Sequence, residues 1–330
     1  MPMREGSMSK RWTWLTGVAA SMAMGAGCDA PEAGECGCSE DVVSVRESQL
    51  NGAKLNGAKL NGARLNGARL NGARLNGPNG TTDYIEIEKI RLRKESYNVQ
   101  SSWLVGSNLH IKTTTNEVFS GTELDSTRIK FDLAEGGWAR KKTLKVLDVE
   151  PLAPGSDVLL YDLALKVDEK EWEPLCVDEE GEPTQAILLG DVWDSANGKR
   201  LPSTGDGLTF ACRDAALAKC VEWGYRPWKA NLREFHQACT RLVRADYCGN
   251  GSSHTEAGTL IHVLDQIGVQ TVDPDRQFVV EAEWGPNGAV CLNTANTRLA
   301  NQQIGCNIPA CGAPFASGGL IQSGKIVVGP

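Results

Sequence analysis

The sequence predicts a mixed α+β chain: a short repeat segment and a β-rich middle region, followed by a disulfide-rich α+β domain. Three observations predict it. Leu-Asn-Gly recurs every five residues from Leu50 to Gly77. Apolar and polar residues alternate with period two between Tyr84 and Val149, and eight cysteines gather after Pro151 around two stretches of helical period. The layout that follows is a signal peptide over 1–27, a flexible tether over 28–48, repeats over 49–80, a β-rich region over 81–150 and a cysteine-rich domain over 151–330.

Lys10 and Arg11 precede an uncharged stretch from Trp12 to Gly27, which ends in Gly25-Ala26-Gly27 before Cys28. A basic start, a short apolar segment and small residues before a cleavage point describe a secretory signal peptide. The uncharged stretch is 16 residues long, short of the roughly 20 that a spanning helix needs. Cysteine directly after Ala26-Gly27 resembles a lipobox, although Gly25 stands where that motif usually has Leu. The resemblance implies that Cys28 is lipidated and becomes the mature amino terminus. The expected address is the cell envelope: an exported lipoprotein of the outer membrane or facing the periplasm, held to the membrane through its lipid anchor.

From Asp29 to Asp41 the chain is rich in Gly, Ser, Glu and Cys with no periodicity, which suits a flexible tether. Cys36 and Cys38 lie here without a histidine or second cysteine pair nearby, so pairing elsewhere is favoured over a metal site.

The next segment places Leu at 50, 55, 60, 65, 70 and 75, each followed by Asn-Gly, with Ala-Lys or Ala-Arg between the units. The unit Ala-Lys/Arg-Leu-Asn-Gly resembles the pentapeptide-repeat family, in which four units make one square turn of a right-handed β-helix. That resemblance implies a short pentapeptide-type β-helix segment, with Leu inward and the basic residues outward. Leu50 to Gly77 makes fewer than two turns, and solenoid turns are stable only when stacked. The segment is therefore expected to dock onto the domain that follows. Lys54, Lys59, Arg64, Arg69 and Arg74 would fall on different faces of the coil, as a solvated surface.

In the middle region the runs 84–88, 107–112 and 128–133 alternate strictly and are bounded by Gly, Asn, Ser and Asp. They read as half-buried antiparallel strands. His110 stands alone in one of them, with no titratable cluster nearby.

After Pro151, strands are expected over 157–167, 186–193 and 207–212, then helices over 214–223 and 232–244. The first helix has Leu217, Cys220 and Val221 on one face, Asp214 as a cap and Gly224 as a stop. The second carries Leu232, Phe235, Cys239 and Leu242 at spacings of three, four and three, an apolar stripe that turns Cys239 inward. Runs 277–283 and 289–292 flank Gly285-Pro286-Asn287-Gly288, a hairpin turn.

Ala245-Asp246-Tyr247-Cys248, together with Lys219 to Trp228, Ala238-Cys239-Thr240-Arg241 and Ser253-His254-Thr255, resembles the ADYC domain over roughly 151–311. That family is found mainly in myxobacterial lipoproteins and secreted proteins. The resemblance implies a source, a compartment and a cysteine framework, but no mechanism.

Two functional readings compete. Setting Cys28 aside leaves ten cysteines, an even number, and eight of them follow Pro151: Cys176, Cys212, Cys220, Cys239, Cys248, Cys291, Cys306 and Cys311. In an oxidising compartment such a set most simply forms four disulfides, in a noncatalytic binding or structural module. On this reading Asp246 caps the helix or pairs with Arg241 or Arg244. The alternative is an extracytoplasmic hydrolase or thiol enzyme using Asp246, Cys248 and His254, with His236 and His262 also in range of type. The first reading is preferred, since the chain lacks Cys-x-x-Cys, His-Glu-x-x-His, P-loop, dinucleotide and Gly-x-Ser-x-Gly patterns. No cofactor and no metal are expected. A net charge of −7 argues against nucleic acid as a partner; an envelope protein or glycan is the expected partner class.

Overall fold

The computed structural model describes residues 53–54, 85–92, 95–135, 138–178, 180–194, 197–201, 208–213, 215–256 and 258–327. The signal segment, Cys28, the tether and all of the repeat except Ala53–Lys54 lie outside them, as does Asp214.

The first described element is β1 (Ala53–Lys54), and a large antiparallel sheet is then built from β2 (Ile85–Leu92), β3 (Glu95–Val105), β4 (Asn108–Thr113) and β5 (Val118–Ser120). After a single 3-10 turn it continues with β6 (Arg128–Glu135), β7 (Trp138–Pro151), β8 (Leu159–Lys166) and β9 (Trp172–Pro174). Two short ribbons follow: β10 (Cys176–Val177) with β11 (Pro183–Thr184), and β13 (Val192–Trp193) with β14 (Arg200–Leu201). Between and after them, β12 (Ala186–Leu189) and β15 (Thr209–Cys212) complete the sheet, in the order β15-β12-β8-β7-β6-β2-β3-β4-β5, with β9 on the far half of β8.

This sheet curls until its β3–β4 turn meets β8. Leu159 N donates to Ser107 Oγ at 2.6 Å, and Tyr161 Oη donates to Ser107 O at 3.1 Å while accepting from Leu109 N at 3.0 Å. These bonds bridge the two parts of the sheet without closing a barrel, and they enclose a first core around Ile90, Ile111, Phe131, Leu144 and Leu188.

The helices α1 (Ala216–Glu222) and α2 (Arg233–Arg244) come next. Both fall inside the stretches that the sequence predicts, and Gly224, at φ +99°, ends the first. A second antiparallel sheet is made by β16 (Leu260–Asp265), β17 (Gln277–Gly285), β18 (Gly288–Leu292) and β19 (Ile321–Val327), in the order β1-β16-β19-β17-β18. Ala53 pairs with Ile261 and Lys54 with Leu260, so two residues of the repeat add a short edge ladder to this sheet. The two helices pack between the second sheet and the outer face of β8, β12 and β15, forming a second core around Trp193, Tyr225, Leu242, Val243 and Trp284.

Alternation along β12 explains how the two cores meet. Ala186 and Leu188 face the first core, whereas Ile187 and Leu189 face the second, and all four are buried. Strands β2 to β7 and strands of the cysteine-rich stretch therefore share one sheet, and the change in composition at Pro151 falls where β7 hands over to β8.

Candidate functional site

The segment Ala245 to Cys248 sits where α2 stops. Ala245 takes the left-handed conformation (φ 49°, ψ 43°) as the helix C-cap, and its N–H reaches back to the carbonyls of Arg241 and Leu242. A left-handed alanine is uncommon because its Cβ crowds the following carbonyl. Three bonded neighbours hold it there: Asp246, Tyr247 and Cys248 are each tied to a different element.

Asp246 is fully buried and accepts from Arg241 Nη1 at 2.5 Å and from Gly251 N at 3.0 Å; its Oδ1 has no hydrogen-bond partner. Arg241 also donates through Nε to Pro286 O at 3.1 Å and through Nη1 to Asn197 O. The pair therefore ties the end of α2 to the β17–β18 turn and to the turn before β14. Arg244 donates to Gly251 O at 2.6 Å, and burial lowers its guanidinium pKa.

Tyr247 is buried, stacked on Trp284 at 5.2 Å, and donates to Glu281 Oε1 at 2.7 Å. Glu281 is the centre of a closed polar network. Arg298 Nη2 donates to its Oε2 at 2.7 Å, Ser323 Oγ donates to Oε2 at 2.6 Å, and Trp284 Nε1 donates to Ser323 Oγ at 2.8 Å. Arg298 Nη1 completes the set on Leu242 O at 2.8 Å. Burial alone would raise the Glu281 carboxyl pKa, but the Arg298 charge and the hydrogen bonds from Arg298, Ser323 and Tyr247 hold it at about 2. Burial, next to that carboxylate, pushes the Tyr247 phenol well above its ordinary value.

Cys248 bonds to Cys306. The other pairs are Cys176–Cys212, Cys220–Cys239 and Cys291–Cys311. Cys176–Cys212 ties the β10–β11 ribbon to β15 of the large sheet, Cys220–Cys239 locks α1 to α2, and the remaining two brace the second sheet and its loops. Cys248 carries no thiol in this arrangement, which removes the nucleophile from the alternative enzymatic reading.

His254 is half-buried. Its Nδ1 lies 3.0 Å from Ala245 O, and its ring tilts against Tyr247 at 5.4 Å. Asp246 and His254 are thus brought to the same turn, but each is bound to a different partner rather than to the other. His236 is fully buried on α2 with Nε2 on Leu217 O at 3.1 Å, and burial lowers its pKa to about 4. His262 lies on β16 with Nδ1 unpartnered. Among the described residues no group of three or more His, Cys, Asp and Glu is placed to hold a metal ion.

The loop after Cys248 is pressed against the β17–β18 turn. A Cβ on Gly249 would fall 1.8 Å from Asn287 O, and one on Gly288 would fall 2.6 Å from Tyr247 O. Both glycines also have positive φ, 65° and 121°. Backbone contact this close requires glycine on both sides. Ala289 N donates to Tyr247 O at 2.9 Å and seals the junction.

Sequence reasoning did not find Glu281, Arg298, Ser323 or Glu283. Glu281 and Glu283 look like the solvent face of an alternating strand, and their partners lie 17 to 42 residues away. No local pattern signals them.

The protein-family model for the ADYC domain matches residues 121–298. This chain belongs to the ADYC domain family. The ADYC match takes in β6 and β7, which precede Pro151, and ends at Arg298, whose guanidinium holds Glu281. Its four signature residues divide the labour seen above: a left-handed cap, a clamp on Arg241, a donor into the Glu281 network and a disulfide. A second family model, pentapeptide repeats (8 copies), matches residues 46–77. No curated protein and no solved structure matches the chain.

Proposed function

We propose that this ADYC protein is an exported, lipid-anchored module of the cell envelope, with a noncatalytic binding or structural role. The observation that carries the reading is the pairing of all eight cysteines after Pro151 into four disulfides, Cys248 included. Such density belongs to an oxidising compartment. The basic, apolar and small-residue sequence ahead of Cys28 supports export and lipidation, and the family resemblance supports a myxobacterial source. The signature residues support a structural part for the ADYC turn, because Asp246, through Oδ2, and Tyr247 are hydrogen-bonded within the fold and Cys248 is disulfide-bonded. The expected partner is an envelope protein or a glycan.

Labelled palmitate incorporated in cells tests the anchor: incorporation is expected in the native chain and is expected to vanish in Cys28→Ala. Label that persists in that variant refutes lipidation at Cys28. Titration of the unreduced protein with a thiol reagent tests the noncatalytic part. A reactive thiol mapped to Cys248 would overturn it.

A further inference from the structure

A second region of the molecule, remote in sequence from the ADYC turn, has unbalanced charge. On the large sheet, Lys89 of β2 lies directly opposite Lys130 of β6, and Arg91 lies directly opposite Arg128. Between them Ile90 pairs with Ile129, and both isoleucines are buried in the first core. Strand alternation therefore puts all four cations together on the outer face. Like charges directly opposite on neighbouring strands are destabilising. Among the described residues none of the four makes a salt bridge, whereas Arg200, Arg213, Arg226, Arg241 and Arg298 all do.

The four cations line a cleft of about 330 Å³, to which Lys166 adds a fifth positive charge. The volume lies within the range of small-ligand sites. Trp172 forms one wall, and the Arg128 guanidinium lies over its ring at 5.4 Å from the centroid. That contact orients a planar donor fork, the group best matched to a phosphate. Among the described residues Glu169 is the one carboxylate in the lining, and Ser96 and Thr143 contribute hydroxyls. The lining thus combines a multiply cationic floor with a few neutral or acidic groups able to meet sugar hydroxyls.

We infer that this cleft binds a phosphorylated sugar, with Lys89, Arg91, Arg128 and Lys130 holding the phosphate. An anion seated between the facing pairs would offset the repulsion between Lys89 and Lys130 and between Arg91 and Arg128. The net charge of the chain does not oppose this, since the five cations are local and the ligand is small. The inference deepens the binding-module reading by giving it a ligand class, and it is independent of the lipid anchor.

Calorimetric titration of the purified full chain with inorganic pyrophosphate, at low ionic strength, tests it. Saturable one-site binding is expected, displaced by glucose 6-phosphate and unaffected by glucose. Arg91→Gln and Lys130→Gln are each expected to weaken binding about tenfold, in line with loss of one charge-assisted hydrogen bond. Lys112→Gln, on β4 outside the cleft, is expected to leave it unchanged. The two cleft variants are also expected to melt no lower than the parent, because each removes one charge from a repelling pair. Absence of saturable binding, or equal weakening by Lys112→Gln, would overturn the site. A lower melting temperature in Arg91→Gln or Lys130→Gln would show the cations to be structural and would overturn it as well. None of these outcomes alters the palmitate or thiol tests, so failure of the ligand and failure of the envelope reading are distinguishable.

Discussion

Replacing Arg298 by Met should leave Glu281, a buried carboxylate bonded by Tyr247, Arg298 and Ser323, without its opposite charge. Glu281 titrates at about 2 in the folded chain against an ordinary 4.5. A difference of that size corresponds to about 3 kcal/mol of stability at neutral pH. Removal of one member of a buried pair costs about 3–5 kcal/mol, a consistent range. Because the folded carboxyl titrates below the unfolded one, its contribution is complete above about pH 4.5 and is lost as the pH falls toward 2. In Arg298→Met, burial acts on the carboxyl with no opposing charge, so its folded pKa rises above the unfolded value. The variant then loses stability as the pH climbs through that window, the reverse of the parent. Urea unfolding of the disulfide-intact proteins, followed by tryptophan fluorescence, should show a difference between parent and variant that is largest at neutral pH. That difference should shrink steadily on acidification. A difference below about 1 kcal/mol, or one that does not vary with pH, would refute the assignment of Glu281 as a buried carboxylate held by Arg298.

Peptide mapping without reduction should recover the four linked pairs Cys176/Cys212, Cys220/Cys239, Cys248/Cys306 and Cys291/Cys311. Removing Cys248–Cys306, which closes 58 residues, should cost about 4 kcal/mol in urea unfolding, against about 3 kcal/mol for Cys220–Cys239, which closes 19. Gly249→Ala should lower stability by about 3 kcal/mol, adding a backbone collision with Asn287 to the cost of a positive φ. Gly268→Ala has the same handedness but an open surrounding, so calorimetric melting should show it losing only about 1–2 kcal/mol. His236, neutral in the fold with a pKa near 4 against 6.5 unfolded, should contribute about 3 kcal/mol above pH 6.5 that is lost by pH 4. A His236→Gln variant should lack that step in its stability profile between those two pH values.

The helices and the hairpin were legible in the sequence because their signals are local. The stripe Leu232, Phe235, Cys239 and Leu242 needs only one helical turn of context, and all four residues are buried as that stripe requires. Gly285-Pro286-Asn287-Gly288 likewise gives β17 and β18 joined at that turn. β3 was not legible as a strand, because most of its residues are exposed and its alternation is weak. β19 escaped for the opposite reason: Gln322 and Ser323 are polar and yet buried, since they donate to Glu283 and Glu281. Hydrophobic periodicity sees only apolar burial, so a strand that buries hydrogen-bonding groups leaves no mark in it. At the ADYC turn parity reads Cys248 as a staple, and the structure pairs it with Cys306. The pairing of Asp246 with Arg241 was legible because the two lie five residues apart, whereas the role of Tyr247 depends on Glu281, 34 residues away.

β19 lies between β16 and β17, although it is the last strand described and lies beyond the family match. Any chain that stops before Ile321 leaves two strands with bare edges, Glu281 without Ser323 and Glu283 without Gln322. Cys248, Cys291, Cys306 and Cys311 all emerge earlier than this strand, whether from a ribosome or through a membrane. Their pairing can therefore begin before the sheet around them is complete. Also available at that stage is the junction of the ADYC loop with the β17–β18 turn, where two glycines let the backbones touch. That junction joins the segments that carry Cys248 and Cys291 through the bond from Ala289 N to Tyr247 O, so the signature tetrapeptide borders two of the four disulfides as well as capping α2.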